Sequence, residues 1–189
     1  MRLFAAVLPP PTAADELAQA VGRLKTLQGA EDLRWTRRES WHFTLAFLSE
    51  VEDGTVPELT ERLSRAAKRT APFPLSLHGG GHFGDRALWA GAQGDVEALR
   101  LLAARADAAA RKSGVTMEEH RHYRPHLTLA RGHGEPSLRA YADGLADFEG
   151  TEWTVAELTL VRSNLPVSGV PGERPRYEVV GRWPLGAGG

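Results

Sequence analysis

With 189 residues, 42% of them apolar and 25% charged, the chain has the composition of a soluble globular protein with room for a sizeable core. Its 23 basic and 24 acidic side chains nearly cancel, to a formal charge of −1, which argues against a long surface that coats nucleic acid but leaves room for a local basic pocket. There is no cysteine, so disulfides, a thiolate nucleophile and cysteine zinc sites are excluded.

The length suits one domain over residues 1–189, or two intimate lobes of one fold. Met1 to Pro11 is apolar but too short to span a membrane, and it lacks a secretory cleavage pattern. It reads as a first strand, Leu3 to Leu8, in a protein expected in the cytoplasm. Thr12 is then placed to cap a helix that buries Leu17, Val21 and Leu24, with Asp15 and Glu16 in its first turn. Trp35 to Phe47 is strand-like. Thr55 and Glu58 have capping-box spacing ahead of a second helix with Leu59, Leu63 and Ala66 on its buried stripe.

Phe73 to Leu77 and Ala87 to Ala90 read as strands around a glycine-rich turn over residues 79–84. Asp95 opens an alanine-rich third helix that runs to about Ser113. A strand from about Arg124 to Arg131 follows, and Pro136 begins a short helix with Leu138, Tyr141 and Leu145 on one side. Strands near Thr154 to Arg162 and Tyr177 to Trp183 close the chain; Pro166 to Pro175 reads as a loop and Gly186 to Gly189 as a frayed end. The order of elements recurs loosely, as a duplicated β/α unit would produce.

Two segments repeat the same message: His42-Phe43-Thr44-Leu45 and His126-Leu127-Thr128-Leu129. On a strand, residues i and i+2 share a face about 6–7 Å apart, so each segment offers an imidazole beside a hydroxyl and turns its apolar residues the other way. One such segment alone reads more simply as a half-buried strand, because threonine favours strands. Two copies, close to half the chain length apart, point to a paired site. An imidazole titrates near neutral pH, so one can accept a proton while another donates, and threonine hydroxyls suit phosphate oxygens. Arg131 lies five residues after His126, at the wrong parity for that face. A strand end or bulge would return it to the cleft; otherwise it is a solvated charge, and periodicity leaves both readings open.

His120, His122 and His126 resemble a metal-binding run, but Arg121 and Arg124 lie within it and no carboxylate does, so no metal is expected. His78, His82 and His133 are expected at the surface, with His82 or Phe83 a candidate for a cleft mouth. Trp35, Trp41 and Trp89 read as core or sheet-face aromatics; one of them, or Tyr123, is a candidate to stack a nucleobase.

The chain resembles the 2H phosphoesterase superfamily, defined by two HxTx motifs, and within it the bacterial RNA 2′,3′-cyclic phosphodiesterases, also called 2′-5′ RNA ligases of the LigT/ThpR type. The resemblance rests on the opening strand at Leu3 to Pro9, the block Trp41 to Leu48, the block Arg124 to Arg131, and the closing residues Tyr177 to Leu185. One departure is Ser49, where the family leads one to expect glycine; serine serves equally if φ stays negative.

The resemblance implies an α+β, bilobal fold with two antiparallel sheets facing a central cleft and helices packed outside. It implies catalysis by His42 and His126, with phosphate held by Thr44, Thr128 and Arg131. The implied reaction hydrolyses a terminal 2′,3′-cyclic phosphate to a 2′-phosphomonoester, and its reverse sense joins RNA ends through a 2′-5′ linkage. One assignment makes His126 the base that activates water and His42 the acid that protonates O3′; the sequence does not separate these roles. The expected partners are RNA ends or small nucleotides carrying a 2′,3′-cyclic phosphate, met by a monomer with no cofactor and no membrane. Two alternatives stand beside this: a phosphodiesterase for small cyclic nucleotides, and a non-catalytic module that binds nucleotides or RNA ends.

Overall fold

A computed structural model describes residues 1–118, 123–164 and 176–186. Its strands are β1 (Arg2–Val7), β2 (Arg34–Trp35), β3 (Phe43–Glu50), β4 (Phe73–Phe83), β5 (Ala87–Gly94), β6 (Leu127–Arg131), β7 (Trp153–Val155), β8 (Glu157–Asn164) and β9 (Arg176–Pro184). Its α-helices are α1 (Pro11–Leu24), α2 (Val56–Lys68), α3 (Val96–Lys112) and α4 (Arg139–Asp143). The strands form two antiparallel sheets, in the orders β3-β1-β8-β9 and β2-β6-β5-β4-β7. No described helix is long and apolar enough to cross a membrane.

The two sheets echo one another. In each, an HxT strand pairs with the strand that opens its half: β3 with β1, β6 with β5. α2 and α3 pack together behind the first sheet, and α4 packs behind β4 of the second. The apolar parity of each HxT strand fastens it to the core, since Phe43, Leu127 and Leu129 are wholly buried. Each such side chain is worth about 1.5–3 kcal/mol, and a one-residue slip would turn all of them outward. The core therefore fixes which way the histidines point.

β1 is apolar on both faces. Leu3, Ala5 and Val7 join the main core, while Phe4 and Ala6 form a small separate cluster with Val161 on the cleft side.

Local signals were overridden in four places. α1 starts at Pro11, with Pro10 at its N-cap and no side-chain cap bond, so Thr12 lies inside the helix rather than capping it. Proline's fixed φ suits that first position. Thr55 makes no capping bond either; it sits in helical conformation at the end of a 3-10 turn, Asp53–Thr55, which leads straight into α2. Asp95, by contrast, caps α3 as expected, its Oδ1 accepting from the Ala98 N–H at 3.0 Å.

The glycine-rich segment is not a turn. β4 runs through Gly79, Gly80 and Gly81, and the chain reverses only after Phe83. These glycines answer to packing: a Cβ on Gly80 would sit 2.6 Å from Leu145, and one on Gly81 2.5 Å from the Trp89 ring. Ser49 has φ of +56°, in the left-handed region, so the condition under which serine serves as well as glycine is not met. Leu48 is the extra residue of a bulge opposite β1, and Ser49 completes that kink. The loop expected over Pro166 to Pro175 lies outside the described residues, as do 187–189 of the expected frayed end.

Candidate functional site

The HxT strands lie in different sheets, and β2 brings them together. It is fastened to β6 by the pairs Arg34–Arg131 and Trp35–Ala130, and the Thr36 N–H donates to the Leu129 carbonyl at 2.8 Å. Residues 36–42 then cross to the first sheet, which delivers His42 to the space facing β6. A cleft of about 1100 Å³ opens between the sheets, and His42, Thr44, His126, Thr128 and Arg131 all line it.

Each histidine sits just ahead of its strand and is held by the carbonyl two residues upstream. His42 Nδ1 donates to the Ser40 carbonyl at 2.7 Å, and His126 Nδ1 donates to the Arg124 carbonyl at 2.8 Å. A carbonyl only accepts, so the proton of each neutral ring is on Nδ1 and Nε2 is left for chemistry. His42 Nε2 meets the Thr44 hydroxyl at 2.9 Å.

Aromatic rings frame both imidazoles. Phe4 lies against His42 at 4.6 Å between centroids, and Tyr177 meets it edge-on at 5.6 Å. Phe83 meets His126 edge-on at 5.0 Å, with Trp89 at 6.3 Å. Burial holds His42 below its ordinary value of 6.5; its bond to the Ser40 carbonyl opposes this, and the charge of His126 adds to it. Burial thus favours the neutral form of the ring.

A β-bulge follows each threonine. On β3, Thr44 pairs with Ala6 and Ala46 with Ala5, which leaves Leu45 as the extra residue. On β6, Thr128 pairs with Trp89 and Ala130 with Leu88, which leaves Leu129. Two consecutive residues are thereby buried in each strand, Leu45–Ala46 and Leu129–Ala130, and the parity resets. Arg131 consequently returns to the cleft side with Thr128. The same step puts Phe47 on the cleft side beyond Thr44, where it is 52% exposed.

Arg2 lies over the Phe47 ring at 5.9 Å. Phe83 and Tyr123 line the cleft, whereas His82 is exposed and Trp35 and Trp41 are buried. The Tyr123 hydroxyl is buried with no hydrogen-bond partner among the described residues, and burial pushes its pKa up. Sequence reasoning missed Phe4, Phe47 and Tyr177. Phe47 was recoverable by aligning the two motifs, since it matches Arg131. Tyr177 had no such signal, because the β8–β9 pairing alone brings it to His42. Among the described residues no group of three or more histidines, aspartates or glutamates is placed to hold a metal; His120 and His122 lie outside them.

The model of the family described as LigT like Phosphoesterase matches residues 7–89 and 92–171, most of the chain. The chain belongs to that family. Among LigT-like relatives, an RNA 2′,3′-cyclic phosphodiesterase of Geobacillus stearothermophilus is 32% identical over 80% of this chain, which spans only 47% of that protein's length. One from Aquifex aeolicus is 26% identical, with 81% of this chain and 82% of the relative aligned.

Solved structures superpose over nearly the whole chain. E. coli LigT in apo form gives a TM-score of 0.76 at 28% identity, covering 97% of this chain and 96% of that one. A Thermus thermophilus protein, TT0787, gives 0.76 at 27% identity and covers 98% of both chains. E. coli LigT has also been crystallised with 3′-AMP, with a TM-score of 0.76 at 27% identity and 97% of both chains covered.

Proposed function

We propose that this chain hydrolyses the 2′,3′-cyclic phosphate at an RNA end to a 2′-phosphomonoester, with His42 and His126 sharing the roles of general base and general acid. The observation that carries the reading is the duplicated imidazole geometry: two Nδ1 atoms tied to carbonyls, with both rings lining one cleft beside two threonines and Arg131. Its relatives' names, RNA 2′,3′-cyclic phosphodiesterase, support the substrate class. The reading carries with it a single bilobal domain acting as a cytoplasmic monomer without a cofactor.

In this scheme water attacks phosphorus opposite O3′. The new P–O bond forms as P–O3′ breaks, one imidazole takes the proton from water, and the other gives one to O3′. Thr44, Thr128 and Arg131 donate to the non-bridging oxygens, where negative charge builds up. An imidazole pair completes this cycle without a metal, so turnover persists in EDTA. Inactivation by EDTA that zinc reverses would contradict the scheme.

The order with His126 as base and His42 as acid requires His42 to take up a proton as the anionic phosphate enters. The lowered pKa of His42 favours the opposite order, with His42 as base and His126 as acid. A substrate with sulfur in place of O3′ separates the two, because a thiolate leaves without help from an acid. Rescue of His126→Ala alone assigns His126 as the acid, and rescue of His42→Ala alone assigns His42. Rescue of neither rejects the two-histidine scheme.

A further inference from the structure

Arg34 and Arg131 are direct partners across the β2–β6 ladder. Cross-strand partners share a face, and their neighbours Trp35 and Ala130 are both buried in the core, so the two arginines project together on the opposite, cleft side. Both are exposed, and neither forms an ion pair or side-chain hydrogen bond with a described residue. Like charges placed directly opposite each other destabilise a sheet. Two guanidiniums with no ion-pair partner among the described residues thus stand side by side at the rim of the cleft.

The bulge at Leu129 is part of this arrangement. It brings Arg131 into line with Thr128, and the Arg34 pairing then places a second guanidinium one strand further out, about 4.8 Å away at the backbone. Thr36, two residues on from Arg34, lines the cleft itself. Thr128 and Arg131 line the cleft, and Arg34 lies just outside that lining, one strand beyond Arg131 at the sheet edge that β2 forms.

We propose that Arg34 binds the phosphodiester next to the reacting one, so that the Arg34–Arg131 pair measures two successive phosphates of an RNA strand. This rests on the cyclic phosphodiesterase reading above and names what distinguishes an oligonucleotide from a mononucleotide in the same site. A guanidinium is suited to the task because its planar fork holds phosphate with two parallel bonds. An incoming pair of phosphates would also remove the repulsion between the two cations. Arg34 is a positioning residue in this scheme, remote from the bonds that form and break.

The test compares kcat/KM for a 2′,3′-cyclic mononucleotide and for a trinucleotide ending in the same cyclic phosphate, in wild type, Arg34→Ala and Arg131→Ala. Wild type favours the trinucleotide. Arg34→Ala reduces that preference about tenfold or more, through KM, the size expected for a lost charge-assisted bond. Its salt dependence on the trinucleotide flattens by about 0.7 in log–log slope, one phosphate contact on a single strand. Arg131→Ala loses rate on both substrates.

Removing Arg34 relieves a like-charge pair, so the melting temperature of Arg34→Ala is no lower than that of wild type, and unfolding cannot mimic the result. Equal loss on the two substrates, or no loss on either, overturns the proposal. Failure of wild type to turn over either substrate overturns the phosphodiesterase reading instead.

Discussion

The two HxT strands share one backbone arrangement from the histidine through the bulge, with Phe43 in the place of Leu127, and then part company. Each has its imidazole tied to a carbonyl two residues back, its threonine in the cleft, and its extra leucine after the threonine. At the next cleft-facing position one strand carries Phe47 and the other Arg131. The backbone device is thus duplicated while the chemistry it presents is divided. On the first sheet Phe4 and Tyr177 pack against His42, with Phe47 stacked on Phe4, and burial lowers the His42 pKa; on the second, Phe83 and Trp89 pack against His126, and Arg131 adds a cation at the rim.

The largest expected effect comes from removing either ring. His42→Ala and His126→Ala each lower kcat about 10²–10⁴-fold, the usual contribution of a positioned acid or base. Full activity in either variant would end the claim that both halves are needed. Next is Arg131→Phe, which gives the second strand the residue that the first carries at that position. It costs about tenfold to a hundredfold in kcat/KM by removing charge-assisted bonds to phosphate. An unchanged kcat/KM would mean that the Phe47/Arg131 difference is incidental.

Gly81→Ala probes the support beneath His126. Its Cβ would fall 2.5 Å from the Trp89 ring, so Trp89 must shift, at about 1–3 kcal/mol of stability read from denaturant unfolding. A neutral result would show that Trp89 is not fixed by β4.

How much of this the sequence disclosed depended on the range of each cause. The sharing of a face by His and Thr follows from strand parity alone, so it was legible, and so was the Asp95 cap. The position of Arg131 was not, because the residue that bulges out of β6 is set by its pairing with Leu88 and Trp89. Glycines at 79–81 suggested a turn by composition, yet their need for small size comes from Leu145 and Trp89, which are remote in sequence or on another strand. Thr55 has the right spacing for a cap, but the preceding 3-10 turn already holds it in helical conformation.

The burial of His42 also predicts a pH effect on stability. The His42 pKa in the folded protein is below 6.5, so between that lowered value and 6.5 the unfolded chain binds more protons than the folded one. Stability therefore falls as pH drops through this window and is recovered above it. His42→Phe weakens that dependence, as followed by melting temperature against pH. An identical pH dependence in the variant would contradict the assigned burial of the ring.

The smallest effect belongs to Ser49→Gly. Glycine tolerates the φ of +56° freely but gains freedom in the unfolded chain, so the net gain in stability is under about 1 kcal/mol. A marked loss would mean that the serine side chain supports the kink.

The most direct test of the central claim is phosphorus NMR of an oligonucleotide ending in a 2′,3′-cyclic phosphate, incubated with the protein in EDTA. The account predicts conversion to a single 2′-phosphomonoester, lost when either His42 or His126 is replaced by alanine. A 3′-phosphomonoester, or a cyclic phosphate left intact by the wild-type protein, would contradict it.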